Sequence, residues 1–274
     1  MGLRAVTDAM SSTDYFELNR AGWDQRARVH LNSKFYDVPG FLSGETSLRE
    51  IELAELGPVK GKSLLHLQCH FGLDTLSWAR LGARCTGVDI SPVAIEQARD
   101  LSNQSGIDAR FVCSNVYDFD RGDAHPYDIV FTSYGTICWL PDLSKWADVV
   151  SANLAPGGTF YIVEFHPIYD LLDGYSYFTR SAPDVEEEGT YTENGEEALA
   201  EFAVWSHPIS SVVKALINAG IEIVHLNEFP FSPYNCFDGM EEREPGRHYL
   251  DHKGNDVPMV YSLMGRKVPA AKAR

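Results

Sequence analysis

Residues 63–91, SLLHLQCHFGLDTLSWARLGARCTGVDIS, combine two short apolar runs with a Gly-containing turn and a longer amphipathic segment between them. The first run, residues 64–67, has the composition of a buried parallel strand, and residues 85–88 form a second such run. After the turn, apolar side chains recur at a spacing that lines the inner side of a helix: Leu73, Leu76, Trp78, Ala79 and Leu81. The stretch therefore predicts a strand, a helix and a second strand, the unit from which α/β sheets are built.

Asp89 closes the second of these strands. Open α/β sheets bind their ligands at the carboxyl ends of the strands. A carboxylate at such an end can accept two hydrogen bonds from the hydroxyls of an adenosine ribose. The position of Asp89 therefore predicts a nucleoside-binding fold.

The rest of the chain continues the alternation of strands and helices. Ser91 as N-cap and Pro92 at the first helical position predict a helix that reaches about residue 103. Apolar runs predict further strands at residues 109–113, 127–134, 159–165, 221–229 and 259–265. Two further helices are predicted, one ending near residue 153 and one at residues 210–219. This order predicts an α/β sheet with helices on both faces.

Two segments resemble the signatures of class I S-adenosylmethionine-dependent methyltransferases of the small-molecule type. Residues 66–72, HLQCHFG, stand where that family has Asp/Glu-Leu-Gly-x-Gly-x-Gly after its first strand. Residues 154–158, LAPGG, match its Leu-x-Pro-Gly-Gly turn before the fifth strand. The resemblance covers roughly residues 62–267 and implies a Rossmann-like methyltransferase sheet.

The first motif departs from the family pattern at three positions. His66 stands in place of the acidic residue, and Gln68 and His70 replace two of the three glycines, whereas Gly72 is kept. Because a Cβ disfavours positive φ, we expect His70 to adopt an ordinary negative φ, with its side chain turned away from the sulfonium.

The resemblance also implies a domain organisation. An amino-terminal helical cover precedes the sheet, and an insertion after the fifth strand covers the substrate. We therefore expect a flexible leader at residues 1–12, a cover at 13–60 with helices at 13–31 and 45–56, and a methyltransferase domain at 61–274 with its insertion at about 168–206.

S-adenosylmethionine is the cofactor that the resemblance implies. Asp89 is expected on the ribose and Asn115 near the adenine amino group, because Asn115 follows the third strand where the family often has Asp. The motif turn is expected along the sugar and methionine. The full set of expected cofactor contacts is Gln68, Cys69, His70, Gly72, Asp74, Thr75, Asp89, Ile90, Asn115, Val116, Ser133 and Tyr36.

A sulfonium methyl group is already activated, so the protein must align a nucleophile, exclude water and, where necessary, remove a proton. Candidate bases near the strand ends are His166, Glu164 and Tyr134, with His166 first because its ordinary pKa lies near neutrality. The alternative is that His166 only hydrogen-bonds the loop backbone. Expected acceptor contacts are Trp139, Tyr177, Trp205 and His207.

The insertion is rich in aromatic residues and in acidic ones. Its rings either line a pocket for a flat or cationic acceptor or form a small core of their own. Residues 183–201 contain eight Asp and Glu and no Lys or Arg, half of the formal net charge of −16. This stretch is either a solvated hairpin or loop, or an attraction for a cationic or amine substrate at a pocket rim.

Composition agrees with a soluble cytoplasmic enzyme, and the resemblance implies a small-molecule methyl acceptor. The net charge disfavours nucleic acid as a partner, and the chain has no apolar run of membrane-spanning length. The five cysteines have no C-x-x-C spacing, which disfavours a disulfide framework, and we expect no metal. A monomer or a homodimer is expected.

These observations predict methyl transfer from S-adenosylmethionine to an oxygen or nitrogen of a small molecule. One alternative is a non-catalytic protein that binds S-adenosylmethionine on the same fold. A less favoured alternative is a nicotinamide-dependent oxidoreductase, whose fingerprint needs glycines where this chain has Gln68, His70 and Leu73.

Overall fold

The computed structural model describes residues 12–122, 125–195 and 199–269. Within them a seven-stranded sheet has the spatial order β3 (Arg110–Cys113), β2 (Arg84–Asp89), β1 (Ser63–Leu67), β4 (Tyr127–Ser133), β5 (Leu154–Phe165), β13 (Val260–Lys267) and β8 (Ile221–Phe229). β13 runs antiparallel to both of its neighbours, and the other pairs along the sheet are parallel. The predicted α/β methyltransferase sheet is confirmed.

Helices cover both faces of this sheet. Trp146 of α6 (Leu143–Asn153) and Leu216 of α8 (Ile209–Asn218) share one buried cluster with Leu65. Leu64 faces the opposite way and shares a cluster with Trp78 of α4 (Leu73–Arg80). Since neighbouring residues of a strand point to opposite faces, β1 is buried on both sides. None of the described helices combines the length and the apolar character needed to cross a membrane.

The remaining helices lie beside α4 or at the edge of the sheet: α1 (Ser12–His30), α2 (Val38–Ser43), α3 (Glu50–Leu56), α5 (Pro92–Ser105) and α7 (Ile168–Leu172). A helix was predicted at residues 45–56, and its predicted start was wrong because α3 begins only at Glu50. Upstream, Ser47 is extended chain whose hydroxyl hydrogen-bonds Asp74 and Ser77. The α2 helix was not predicted. The expected leader lies outside the described residues, apart from Ser12.

The insertion after β5 contains a hairpin of β6 (Asp184–Glu188) and β7 (Ala200–Val204). This hairpin packs on α1, where the Asn19 amide donates to the Ala203 carbonyl and accepts from its N–H, both at 2.8 Å. A second excursion, between β8 and β13, contains two short pairs of strands, β9 (Glu241–Glu244) with β10 (Arg247–Tyr249), and β11 (Asp251–His252) with β12 (Asn255–Asp256). Both excursions return to the sheet edge at which β1 and β2 end.

Gly72 begins α4 with φ of +81°, and a Cβ built on it would lie 2.6 Å from the Phe111 ring. We expect Gly72→Ala to lower the free energy of unfolding by about 2–4 kcal/mol, since left-handed strain adds to overpacking. Gly106→Ala is the matched control, with φ of +66° but open space around the site, and it should cost about 1–2 kcal/mol. Urea unfolding of both variants measures the difference, and equal losses would exclude the steric part.

Candidate active site

A cavity of about 800 Å³ lies where the carboxyl ends of β1, β2 and β4 meet. Its floor is the motif loop after β1. One wall comes from α1 and residues 35–49, a second from the insertion, and a third from residues 234–238 beyond β8. Chain segments distant in sequence therefore enclose one space beside the predicted nucleoside site.

The motif loop keeps a glycine-like backbone without the glycines. Gln68 has φ of 57° and His70 has φ of 51°, so the expectation of a negative φ at His70 was wrong. Left-handed geometry costs a non-Gly residue about 1–2 kcal/mol. The loop is held by its contacts, since the His70 N–H donates to Asp89 Oδ2 at 2.8 Å and the Gln68 amide donates to the Thr136 carbonyl at 2.8 Å.

The ring of His70 points toward α1. Its Nε2 is 2.8 Å from His30 Nδ1, and His30 Nε2 is 2.6 Å from the hydroxyl of Thr190 in the insertion. Burial lowers the pKa of His30 to about 3 and that of His70 well below its ordinary value. Both imidazoles are therefore neutral, and they connect the motif loop to the cover and to the insertion.

Asp89 is fixed at the end of β2 with its carboxylate in the cavity wall. Its Oδ1 accepts from the Ser91 N–H at 2.9 Å, and its Oδ2 accepts from the His70 N–H. Burial raises the pKa of Asp89 to about 6, although these N–H donors lower it. Each oxygen retains a free lone pair, which suits two ribose hydroxyls.

The neighbouring wall contains other residues predicted to contact the cofactor, namely Cys69, Ile90, Asn115 and Val116. The Asn115 side-chain oxygen accepts from the Tyr117 N–H at 3.1 Å, which fixes the orientation of the amide. Its NH₂ group carries the two donors of this side chain. Asn115 thus offers both a fixed donor and one remaining lone pair to a heterocycle.

The far end of the cavity carries charges of both signs. Asp74 accepts from the hydroxyls of Ser47 at 2.6 Å and Ser133 at 3.2 Å. The Arg49 guanidinium lies 4.5 Å from the centre of the Tyr234 ring, and its Nε is buried without a hydrogen-bond partner. An ammonium and a carboxylate group would complement this pair.

Arg49 and Tyr234 were missed by the sequence reasoning. Nothing local distinguishes Arg49 from a surface arginine. Tyr234 carried a usable signal, because it follows β8, whose carboxyl end lies at the same edge of the sheet as those of β1 and β2.

Thr75 does not line this cavity, contrary to prediction. It is fully buried, and its hydroxyl lies 2.9 Å from His66 Nδ1. His66 Nε2 in turn lies 3.3 Å from the Ser133 hydroxyl, and burial lowers the pKa of His66 to about 4. Thr75 therefore lies behind the wall, and His66, which lines the cavity, connects it to Ser133.

The geometry does not favour His166 as a base. Its Nδ1 accepts from the Ile168 N–H at 3.1 Å, so the proton resides on Nε2, which lies 2.8 Å from Glu228 Oε1. Burial lowers the pKa of His166 against the opposing effect of Glu228. With both ring nitrogens engaged, neutral His166 has no lone pair free, and the ring does not line the main cavity.

Glu164 and Tyr134 do not fit the role either. Glu164 is 3% exposed, and its carboxylate accepts from backbone N–H groups of Gly135, Thr136, Ile137 and Phe165. Tyr134 lines the cavity, but its hydroxyl donates to Glu52 at 2.9 Å and burial raises its pKa well above the ordinary value. Glu164 is therefore a structural acceptor, and Tyr134 a neutral wall residue.

Of the four predicted acceptor contacts, Trp139 and Trp205 line the main cavity. His207 does not, and its Nε2 lies 2.7 Å from the Leu140 carbonyl. Tyr177 is also absent from the lining, and its ring packs on Phe178. Trp23 of α1 also lines the cavity, with its ring 5.3 Å from that of Trp139.

The donors and acceptors of the cavity fit a nucleoside joined to an amino acid. Asp89 and Asn115 lie at the nucleoside end, and Asp74 and Arg49 lie at the other. Between them the Gln68 side-chain oxygen is buried without a partner. Tyr36, the remaining predicted contact, also lines the cavity, and its hydroxyl lies 2.5 Å from that of Tyr191.

Comparison with known proteins agrees with this arrangement. Residues 64–158 match the model of a family described as a methyltransferase domain. A ubiquinone biosynthesis O-methyltransferase from Xanthomonas axonopodis pv. citri is 26% identical over 212 residues, which are 74% of this chain and 82% of the relative. A protein of the same name from Saccharophagus degradans is 23% identical over 229 residues, 81% of this chain and 91% of that one.

Solved structures share the fold. The CcbJ methyltransferase from Streptomyces caelestis superposes with a TM-score of 0.61 at 16% identity, covering 90% of this chain and 98% of that one. A methyltransferase from Methanosarcina mazei gives a TM-score of 0.58 at 18% identity, covering 81% of this chain and 99% of that one. The chain is therefore an S-adenosylmethionine-dependent methyltransferase with a class I fold, and S-adenosylmethionine is its cofactor.

Proposed function

We propose that this methyltransferase acts on an oxygen or nitrogen atom of a small organic acceptor. The observation that carries the proposal is the single cavity that extends from Asp89 to the aromatic residues of the insertion. About 800 Å³ lies within the range of small-molecule sites, and the walls combine aromatic rings with polar groups that can orient a ligand. The curated relatives are named O-methyltransferases, which supports oxygen as the methylated atom.

In this proposal the adenosine lies at the carboxyl end of β2. Asp89 accepts from the ribose hydroxyls, and Asn115 faces the adenine. The methionine portion extends past Gln68 to Arg49 and Asp74, where its carboxylate and ammonium groups find opposite charges. The unpartnered atoms of Gln68 and Arg49 support this assignment, because buried polar groups are normally hydrogen-bonded.

The cofactor supplies an activated methyl group, so the protein contributes chiefly position and enclosure. The insertion and α1 are joined by the Asn19 amide and by an ion pair of 2.6 Å between Arg26 and Glu188. These contacts lie beside Trp139 and Phe202, whose rings pack together in the cavity wall. Because His166, Glu164 and Tyr134 are engaged elsewhere, alignment of the acceptor is the main catalytic contribution.

We also propose that the protein acts in the cytoplasm as a monomer or a homodimer. All five cysteines are free, which suits a reducing compartment. The described walls of the cavity come from one chain, an arrangement that suits a monomer as well as a homodimer.

Removal of the Asp89 carboxylate should weaken binding of S-adenosylhomocysteine. Since hydrogen bonds to charged groups contribute roughly 1.5–3 kcal/mol, Asp89→Ala should raise the dissociation constant about ten- to a hundredfold by calorimetry. Asp100→Ala, at an exposed position of α5, is the control and should leave it unchanged. An unaltered affinity in Asp89→Ala would remove this residue from the site.

Arg49→Met should weaken binding of S-adenosylhomocysteine about tenfold or more, because the methionine carboxylate loses its cation. The same variant should bind 5′-methylthioadenosine as the wild type does, since that ligand lacks the amino-acid portion. Calorimetry with both ligands separates a local effect from general damage to the cavity. Equal weakening for both would contradict the assignment of Arg49 to the methionine end.

With methyl-labelled cofactor, a screen of small phenols and amines should identify an acceptor that takes up label in the wild type and not in Asp89→Ala.

With that acceptor, His166→Gln should keep the turnover rate within about threefold, whereas loss of a general base costs about a hundredfold or more. A hundredfold fall with unchanged cofactor affinity would restore His166 as the base. Absence of turnover with every acceptor, despite cofactor binding, would favour a non-catalytic protein.

A further inference from the structure

A second cavity of about 160 Å³ adjoins the main one behind the insertion. The two cavities share Cys138, Tyr169, Trp205 and Phe237 in their walls, together with Asp170 of α7. Asp170 is therefore at the junction, on the acceptor side of the cofactor site.

The carboxylate of Asp170 is half-buried and has neither a hydrogen-bond donor nor a cationic partner among the described residues. Burial, together with the nearby carboxylates of Glu164, Asp173 and Asp184, raises the pKa of Asp170 to about 6. A buried carboxylate among like charges is unfavourable unless a cation compensates it.

The three acidic residues of β6 that line the main cavity already have partners. Glu188 pairs with Arg26 at 2.6 Å, and Asp184 pairs with Arg180 at 3.5 Å. The Tyr175 hydroxyl donates to Glu186 at 2.5 Å. The negative charge of Asp170 at the junction is thus available to a cationic group of a ligand.

An independent observation comes from the smaller cavity. Tyr261 lines it and is fully buried, and its hydroxyl has no hydrogen-bond partner within the described part of the chain. Buried hydroxyls of native proteins normally have one. A polar atom of a ligand, or a water that it orders, would satisfy this hydroxyl and Asp170 in the same small space.

We infer that the methyl acceptor carries a protonated amine, and that its ammonium group binds Asp170 at the junction of the two cavities. The rings of Tyr169, Trp205 and Phe237 surround this position and favour a cation through their faces. An ammonium nitrogen has no lone pair, so the amine is a recognition group and the methyl goes to another oxygen or nitrogen of the same molecule. This inference rests on the proposed function and specifies its acceptor.

Three probes of similar shape test the charge requirement: benzylamine, benzyl alcohol and benzoate. Each is titrated into protein saturated with S-adenosylhomocysteine, and binding is followed by ligand-observed NMR. The wild type should bind benzylamine about tenfold or more tightly than benzyl alcohol, and benzoate most weakly. Asp170→Asn should abolish the preference for the amine, and Asp173→Asn, at an exposed neighbouring carboxylate, should retain most of it.

Equal affinity for the amine and the alcohol in the wild type would overturn the inference, and so would an undiminished preference in Asp170→Asn. The wild-type comparison decides even where the variant folds poorly. S-adenosylhomocysteine binding, measured on the same samples, keeps the two proposals apart. If the wild type does not bind S-adenosylhomocysteine, the proposed function is contradicted. If it binds S-adenosylhomocysteine but does not prefer the amine, only the amine site is contradicted.

Discussion

The hydrogen bond from the His70 N–H to the Asp89 carboxylate is the contact on which the site depends. It joins the loop after β1 to the end of β2, and it requires the left-handed backbone that brings the N–H around to the carboxylate. The same backbone directs the imidazole toward His30 and through it toward Thr190. One strained residue therefore fixes the ribose acceptor, the amino-terminal cover and the insertion relative to each other.

The walls of the cavity come from segments that are distant in sequence and that contact each other through side chains. Arg26 is central to these contacts, because it pairs with Glu188 and packs 3.8 Å from the centre of the Phe202 ring. On the acceptor side of the described cavity, the positive charge of Arg26 is neutralised by Glu188. The wall therefore presents a negative potential to an entering molecule, and such a potential disfavours anionic acceptors.

The sheet was predictable because its strands are short apolar runs with turn residues between them, and β1 through β5 follow that pattern. The site was partly predictable, since Asp89, Asn115 and Ser133 come directly at or after strand ends. Arg49 and Asp170 were not, because their approach to the cavity depends on how the cover and α7 fold back. His166 was misassigned for another reason. Its ordinary pKa pointed to a base, and only the structure reveals that both ring nitrogens are engaged.

Ser133 connects His66, one of the positions that depart from the family pattern, to Asp74. Its hydroxyl lies 3.3 Å from His66 Nε2 and 3.2 Å from Asp74 Oδ2. The carboxylate that is missing near the end of β1 is therefore replaced by that of Asp74, in the first turn of α4 and eight positions later in the chain. A comparison of single positions in this motif finds His66 where the family has an acidic residue. The negative charge that is missing at position 66 is therefore present nearby in the fold, although the motif itself diverges from the family pattern.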